Sequence, residues 1–518
     1  MKNTQAIFGE EFSEKIMEGV ELVEMMVTAT MGSHGKYILL EDEDGNIRPT
    51  KDGVSVAHSI IPEDPVVAMG AKMVIDGSVA TVRKIGDGTT TTALLTASLY
   101  KQLMSLKKEG RTSRDLMISL EVEKQAVLKE ITSLKKTFFD KDVLKKIALV
   151  SANHDEEIAE VVSEVWDKIG AKGVVELVVS DTGSTSFEVK SGFRINKGYL
   201  WEKFANKGLK AVYDECMVFA TDHTIDGLAP IGKLIEIARS KSLPLLIFAP
   251  EFENRAIESM LKNHKEGVVQ FLPIEWPQFG DKDSLGEELA SVSGGAFISK
   301  AEYSDLTKVD WSKIGTVKKV VADGVTTVIS FDEENPVYLD YVNKVEEQKE
   351  QFKTTHTAKK LDARLARIKG KIATIRIHGN TDAEYNFKYD MYDDCVKAVG
   401  NAIETGYVAG GGSTYRYLAT KTGIDILKLV LLSPMTKLLQ NYGCSTEEVE
   451  RIVDDSLNDP YGTGIDLNRF ENGKVDLNAE GLIEPAGLVS TCIDNACSIA
   501  SLLFNTEAGI TVVRSLIL

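Results

Sequence analysis

The stretch Gly86-Asp87-Gly88-Thr89-Thr90-Thr91-Thr92 sets two glycines around an acid and a row of hydroxyls directly before the helical run Ala93 to Tyr100. Free backbone N–H groups at a helix N-terminus favour anions, and glycines let a phosphate come close to the backbone. The threonine hydroxyls add donors, and Asp87 could hold a Mg²⁺ that bridges phosphate oxygens. No GK[ST] follows, so the stretch is not a Walker A loop. A glycine-rich turn with a Thr N-cap accounts for the same residues without any ligand, and the stretch alone does not choose between the two.

Working outward, long helical patterns surround this turn. Phe12, Ile16, Val20, Val23 and Val27 recur at helical spacing, which predicts one apolar stripe on a long helix. A hairpin is expected from Lys36 to Glu41 and Asn46 to Thr50 across an Asp44-Gly45 turn. Helical patterning returns over Val66 to Leu106 and Arg114 to Leu134, and again over Ile424 to Gln440 and Pro485 to Phe504. The two ends of the chain therefore read as one α-rich domain. The middle changes period: expected strands at Met217 to Ala220, Leu245 to Ala249, Val268 to Pro273 and Ala296 to Ser299 alternate with helices at Leu228 to Ser240, Asn254 to Glu266 and Ser284 to Ser293. That βαβα texture predicts a largely parallel sheet inserted into the α-rich domain. Two amphipathic helices follow, marked by Val337, Tyr341, Val342 and Val345 and by Leu361, Leu365 and Ile368.

Composition narrows the function. The chain has 518 residues, 27% of them charged and 43% hydrophobic, with a formal charge of −18. An acidic balance of this size argues against non-specific nucleic-acid binding. No uncharged apolar run reaches the ~18–20 residues of a membrane span, and acids stand near the N-terminus where a signal peptide would carry its apolar core. Five cysteines without CxxC spacing indicate neither a disulfide framework nor a zinc site. The expectation is a cytoplasmic protein without nucleic-acid or membrane partners.

Three further segments are candidates. Thr50-Lys51-Asp52-Gly53 closes the hairpin with a cation beside an acid; a Lys can meet phosphate as a point charge, although a surface turn is the commoner use. Thr30-Met31-Gly32-Ser33 reads alone as a helix C-cap. Val408-Ala409-Gly410-Gly411-Gly412 follows a helix carrying Asp393 and Asp394. An acid there could take a proton from water attacking a γ-phosphate, or simply sit on a solvated helix face.

As a set, the motifs resemble the group I chaperonins, the GroEL type, from about Phe8 to Val513. They are TKDGVSVA (Thr50 to Ala57), GDGTTTT (Gly86 to Thr92), SANHDE (Ser151 to Glu156), KGYL (Lys197 to Leu200), FGDKD (Phe279 to Asp283) and VAGGG (Val408 to Gly412). The resemblance implies a multidomain α and α/β chain of the chaperonin fold. Its parts would be an α-helical equatorial ATPase domain (1–134 and 405–518), a small α/β intermediate domain (135–190 and 373–404) and an inserted α/β apical domain (191–372). It implies homo-oligomeric rings, usually heptameric and single or double, that enclose non-native polypeptide clients and use ATP with Mg²⁺. K⁺ is a further candidate ion, and the need for a co-chaperonin lid is left open.

By the same resemblance, Asp87 would be the Mg²⁺ ligand, and Gly88, Thr89, Thr90 and Thr91 the phosphate cradle. Thr30, Gly32, Ser33 and Lys51 would lie beside it, with Gly411 and Glu484 toward the nucleoside. Asp394 would position the hydrolytic water, assisted by Asp52. Tyr199, Leu200, Phe204, Ile235, Ile257 and Leu261 would line an apolar client groove, with Gly192 as a hinge. Departures from the family pattern are Glu484 in place of an Asp, Ser33-His34 in place of Pro-Lys, and a rewritten loop at Tyr461 to Asp466. Lys203, Gly232 and Lys262 fall in the groove, and Lys371 takes the place of a hinge glycine. Two other readings compete: a ring-forming holdase or scaffold that binds nucleotide without productive turnover, and a monomeric ATP-dependent enzyme acting on a small substrate.

Overall fold

Phe12, Ile16, Val20, Val23 and Val27 are all buried along one face of the helix Gly9–Thr28, as their spacing predicts. The computed structural model describes residues 4–41, 45, 47–137, 140–152, 154–171, 173–180, 183–277, 282–351, 356–421 and 423–512. Its contacts divide the chain into two compact units, Met1–Asp167 with Ile377–Leu518, and Lys168–Arg376.

In the first unit, Asp64 accepts hydrogen bonds from the N–H groups of Val66 and Val67, and Pro65 occupies the first turn, so the helix Pro65–Ile85 starts there. It lies along Gly9–Thr28, while Ala486–Phe504 lies along Thr89–Lys108. Their apolar faces meet in one cluster that includes Val20, Val74, Leu99, Leu103, Val489 and Ala500. Pro65–Val82 and Ala486–Phe504 have the length and hydropathy of a membrane span, but Lys72, Asp76 and Asp494 interrupt them, and both contribute to that core. The strand Thr4–Phe8 pairs antiparallel with Ala508–Val512, joining the two ends of the chain. The expected hairpin is present as Ile38–Glu41 paired with Ile47–Thr50; Asp44 and Asn46 of its turn lie outside the described residues.

The second unit is built on an eight-stranded sheet. In order across the sheet, its strands are Val174–Val179, Lys371–Ile377, Ser186–Ile195, Thr327–Ser330, Gly315–Ala322, Ala211–Ala220, Leu245–Ala249 and Phe271–Glu275. The last three are parallel to one another and are buried on both faces. Val218, Leu246 and Phe248 join one apolar cluster, while Met217, Phe219, Leu245 and Ile247 join another, as a sheet covered by helices requires. The sheet as a whole is mixed, which corrects the largely parallel expectation. Asp323 accepts from the N–H groups of Val325 and Thr326 and turns the chain. Gly315–Ala322 and Thr327–Ser330 thereby form a hairpin that joins Ala211–Ala220 antiparallel. Ala296 to Ser299 does not form the expected strand: Ile298 makes a single parallel bridge to Thr221, and the Thr221 hydroxyl takes up the Ile298 carbonyl at 2.6 Å. Of the FGDKD stretch, Phe279, Gly280 and Asp281 lie outside the described residues.

One long-range contact holds the wall on which the site is built. Glu123, 4% exposed on the helix Ser113–Leu134, accepts the Ile426 and Leu427 N–H groups at 3.0 and 2.9 Å. Asp425, the residue before the helix Ile426–Tyr442, provides no side-chain cap, so the cap comes from another helix. Glu123→Ala leaves two buried donors unpaired and is expected to cost about 2–3 kcal/mol. A Glu123→Gln chain should lose less, because one acceptor oxygen remains. Thermal unfolding of the three proteins checks this, and equal midpoints for wild type and Glu123→Ala would refute it.

Candidate functional site

Two glycines of the Gly86 to Thr92 stretch have left-handed backbones, Gly86 at φ 93° and Gly88 at φ 101°. A side chain at either would be strained, and this is how the helix Pro65–Ile85 ends and Thr89–Lys108 begins with only Asp87 held between them. No side chain caps the Thr89 helix, so its first N–H groups stay open with the positive end of the helix dipole behind them. Thr92 turns inward to the Thr81 hydroxyl at 3.0 Å, leaving Thr89, Thr90 and Thr91 on the open side.

These residues line a cavity of about 560 Å³ within the first unit. Of the nucleotide-site residues expected from sequence, Thr30, Gly32, Ser33, Lys51, Asp52, Asp87, Thr89, Thr90, Thr91, Asp394, Gly411 and Glu484 all line it; Gly88 lies just behind, as the residue before the helix. They arrive on separate elements. Asp52 starts the short helix Gly53–His58, its carboxylate accepting from the Val54 and Ser55 N–H groups at 3.0 and 2.8 Å. Asp394 projects from the helix Asp382–Thr405. Glu484 comes from the strand Ile483–Pro485, paired with Tyr407–Ala409 so that Val408 stands opposite it; the glycine run and Glu484 therefore enter side by side. The Thr30 hydroxyl donates to the Val27 carbonyl at 2.8 Å, which leaves its oxygen as an acceptor suited to a cation. Lys51 places its ammonium over the Tyr37 ring, 5.0 Å from the centroid.

The cavity holds more acid than it can comfortably ionise. Desolvation raises the Asp87 pKa, with Asp52 adding to the rise and the Gly88 N–H and Lys397 opposing it. Asp394 is raised well above the usual carboxylate range, first by desolvation and then by the charges of Asp87, Asp52 and Asp393. Glu484 is pushed up to about 8 by burial and by Asp87, and its Oε1 is buried without a hydrogen-bond partner. Hard oxygen donors in surplus, one of them orphaned, fit a divalent cation. Mg²⁺ needs only one or two carboxylates when phosphate oxygens and water complete its shell, so a single carboxylate at Asp87 suffices.

Several lining residues were missed from sequence. Arg416, 1% exposed, donates to the carbonyls of Ser456, Asp459, Pro460 and Thr463 and so anchors the loop that supplies the cavity wall from Thr463 to Asn468. An Arg on a short helix gives no sequence sign that it will clamp four carbonyls. His154 has a left-handed backbone, φ 65°, and its Nε2 meets the Asn468 amide at 2.8 Å; both line the cavity. Asp390 and Lys397 line it too, and the spacing 390, 394, 397 on one helix face was a usable signal.

The proposed groove residues divide by burial. Phe204 is fully buried against the His264 ring, and Ile257 and Leu261 are buried in the same cluster. Tyr199, Leu200 and Ile235 are half-buried. Nearby exposed apolar side chains in this unit include Trp201, Leu209 and Val325.

The fold and cavity define a class that comparison with known proteins identifies. The model of the TCP-1/cpn60 chaperonin family matches residues 23–243 and 256–512, and the chain belongs to that family. Among solved structures, it is similar to the chaperonin gp146 from bacteriophage EL 2 (Pseudomonas aeruginosa), crystallised in the presence of ATP-BeFx. In crystal form II the match covers 97% of this chain and 98% of the phage protein, with a TM-score of 0.78 and 23% identity. In crystal form I it covers 98% and 99%, with a TM-score of 0.68 and the same identity. At that identity the likeness establishes a shared fold.

The buried Glu484 has a pH consequence for stability. Its carboxyl keeps its proton in the folded state up to about pH 8 and loses it near 4.5 when unfolded. The folded state therefore binds more protons between those values, and ligand-free stability falls as pH rises through that window. Glu484→Gln should flatten this decline between pH 5 and 8 in thermal unfolding; a variant whose decline is as steep as wild type would show that Glu484 is not its source.

Proposed function

We propose that this chain is an ATP-driven chaperonin that binds non-native polypeptides and couples their release or folding to hydrolysis in the cavity of the first unit. The carrying observation is that Asp52, Asp87 and Asp394, from three distant parts of the chain, face one another where an uncapped helix N-terminus opens. The open N–H groups and Lys51 suit the phosphates of a nucleotide. Mg²⁺ held by Asp87 would neutralise phosphate charge and offset the repulsion that Asp87 exerts on Asp394.

Asp394 is the base in this reading. A carboxylate whose pKa is raised takes a proton from water more readily than an ordinary one. Asp52 has both oxygens engaged by backbone N–H groups, which fixes its carboxylate in place and suits it to orienting water. The Thr30 oxygen is an acceptor available to K⁺. Gly411 and the Thr463 to Asn468 wall would face the nucleoside.

The chain would divide into equatorial (1–134 and 405–518), intermediate (135–190 and 373–404) and apical (191–372) parts and assemble as a homo-oligomeric ring in the cytoplasm. Clients would meet Tyr199, Leu200 and Ile235 together with the exposed Trp201. The buried Phe204, Ile257 and Leu261 would support that surface from beneath. Apolar, loosely specific contact suits clients whose shared feature is exposed hydrophobic surface.

Steady-state ATP hydrolysis tests the reading. Asp394→Ala is expected to bind ATP with an affinity close to wild type and to turn it over roughly 10²–10⁴ times more slowly. Equal turnover would remove Asp394 from the mechanism. Wild type that binds ATP without hydrolysing it would favour a holdase.

A further inference from the structure

We propose that Lys397 is a further catalytic residue of this site, its ammonium contacting the γ-phosphoryl group of a bound nucleoside triphosphate and holding the negative charge that shifts there during transfer. The inference rests on the nucleotide reading above and adds a residue to it.

Three cations line the cavity among the described residues besides the imidazole of His154: Lys51, Lys397 and Arg416. The Arg416 guanidinium is committed to four backbone carbonyls. The Lys51 ammonium lies over Tyr37. Lys397 differs from both in where it lies and in what holds it. Its side chain crosses from the helix Asp382–Thr405 onto the phosphate turn: a Cβ added to Gly86 would stand 2.4–2.7 Å from the Lys397 Cβ, Cγ and Cδ. The aliphatic stem therefore covers the first glycine of the turn, and the ammonium lies near enough to Asp87 for its charge to oppose the rise in that carboxyl's pKa. Its ion-pair partner is Asp393, one helical turn back and itself a cavity residue.

A half-buried i,i+4 pair on one helix is a modest hold, and a phosphate carrying more charge than one carboxylate can displace it. The field of Lys397 already reaches the two key acids, opposing the upward push on both Asp87 and Asp394. Lys397 also shares a helix with Asp394, so base and cation are set in fixed relation three residues apart.

In the step, the water oxygen forms a bond to the γ-phosphorus. The bond from that phosphorus to the β,γ-bridging oxygen breaks, its electron pair staying on the departing diphosphate, and the water proton passes to the Asp394 carboxylate. The products are the nucleoside diphosphate and inorganic phosphate. Lys397 forms no covalent bond and loses no proton; it donates an N–H to a γ-oxygen throughout. A cation aimed at developing charge is the arrangement that electrostatic catalysis requires.

Lys397→Met keeps the apolar stem over Gly86 and removes the charge; Lys397→Arg keeps the charge. With the full chain, ATP turnover and equilibrium binding of ADP and of ADP with aluminium fluoride are measured for each. Lys397→Met is expected to lower kcat about 10²-fold and to weaken the ADP–aluminium fluoride complex at least tenfold more than ADP itself, with Lys397→Arg recovering most of both. Equal weakening of the two ligands, or an Arg variant as poor as the Met one, would reduce Lys397 to a structural part and overturn the proposal. Wild type that binds no ATP would overturn the nucleotide reading beneath it, an outcome distinct from wild type that binds and hydrolyses ATP beside an unaffected Lys397→Met.

Discussion

The first unit is organised around an electrostatic conflict: Asp52, Asp87 and Asp394 are brought within range of one another in a partly desolvated cavity, with Glu484 behind them. Left free to move, such groups would separate into water. Each is prevented by its own element. Asp52 is tied to the start of a helix by two backbone N–H groups. Asp87 is fixed between two glycines with left-handed backbones, and Asp394 sits on a 24-residue helix. An apolar cluster joins the elements that hold Asp52 and Asp87, and the helix of Asp394 packs against Ala486–Phe504 of the same cluster, so core packing and site chemistry are one problem.

Much of the fold was legible because helix period and burial coincide. The stripe from Phe12 to Val27 and the runs flanking Gly86 are buried where their spacing placed them. Strands were missed in both units, Thr4–Phe8 and Ala508–Val512 in the first among them, and those of the second unit were missed for a physical reason. Gly315–Ala322 alternates buried and exposed residues but carries two adjacent lysines, and its hairpin partner is four residues long. Local pattern reports neither the partner nor the direction of pairing. Those depend on the Asp323 turn and on long-range register, and so a sheet expected to be largely parallel proved mixed. Ala296 to Ser299 shows the opposite failure: apolar character without a ladder to join, the Ile298 carbonyl taken by the Thr221 side chain.

The site was legible to the extent that backbone peculiarity writes itself into sequence. Glycines and acids at turns are visible because few other residues serve there. Arg416 and His154 were not, since their roles are made by contact with the loop from Ser456 to Asn468, some 40 and 314 positions away in the chain. Burial is equally invisible locally. Phe204, Ile257 and Leu261 have the apolar character of a binding surface, yet the structure uses them as core, and only the three-dimensional neighbours distinguish the two uses.

The pairing of Thr4–Phe8 with Ala508–Val512 bears on how the chain is made as well as on how it stands. The second unit is one continuous segment and can fold as soon as it leaves the ribosome. The first cannot: its N-terminal helices must wait for the helix Ala486–Phe504 and the final strand, which emerge after roughly 200 intervening residues and then the C-terminal segment itself. At typical rates of about 5–20 residues per second, that is a delay of roughly 15 seconds to more than a minute. Throughout it, the helices Pro65–Ile85 and Thr89–Lys108 lack the helix Ala486–Phe504 against which they pack. Each newborn copy thus passes through a prolonged state with unsatisfied apolar surface, and so presents the need that older, finished chaperones exist to meet.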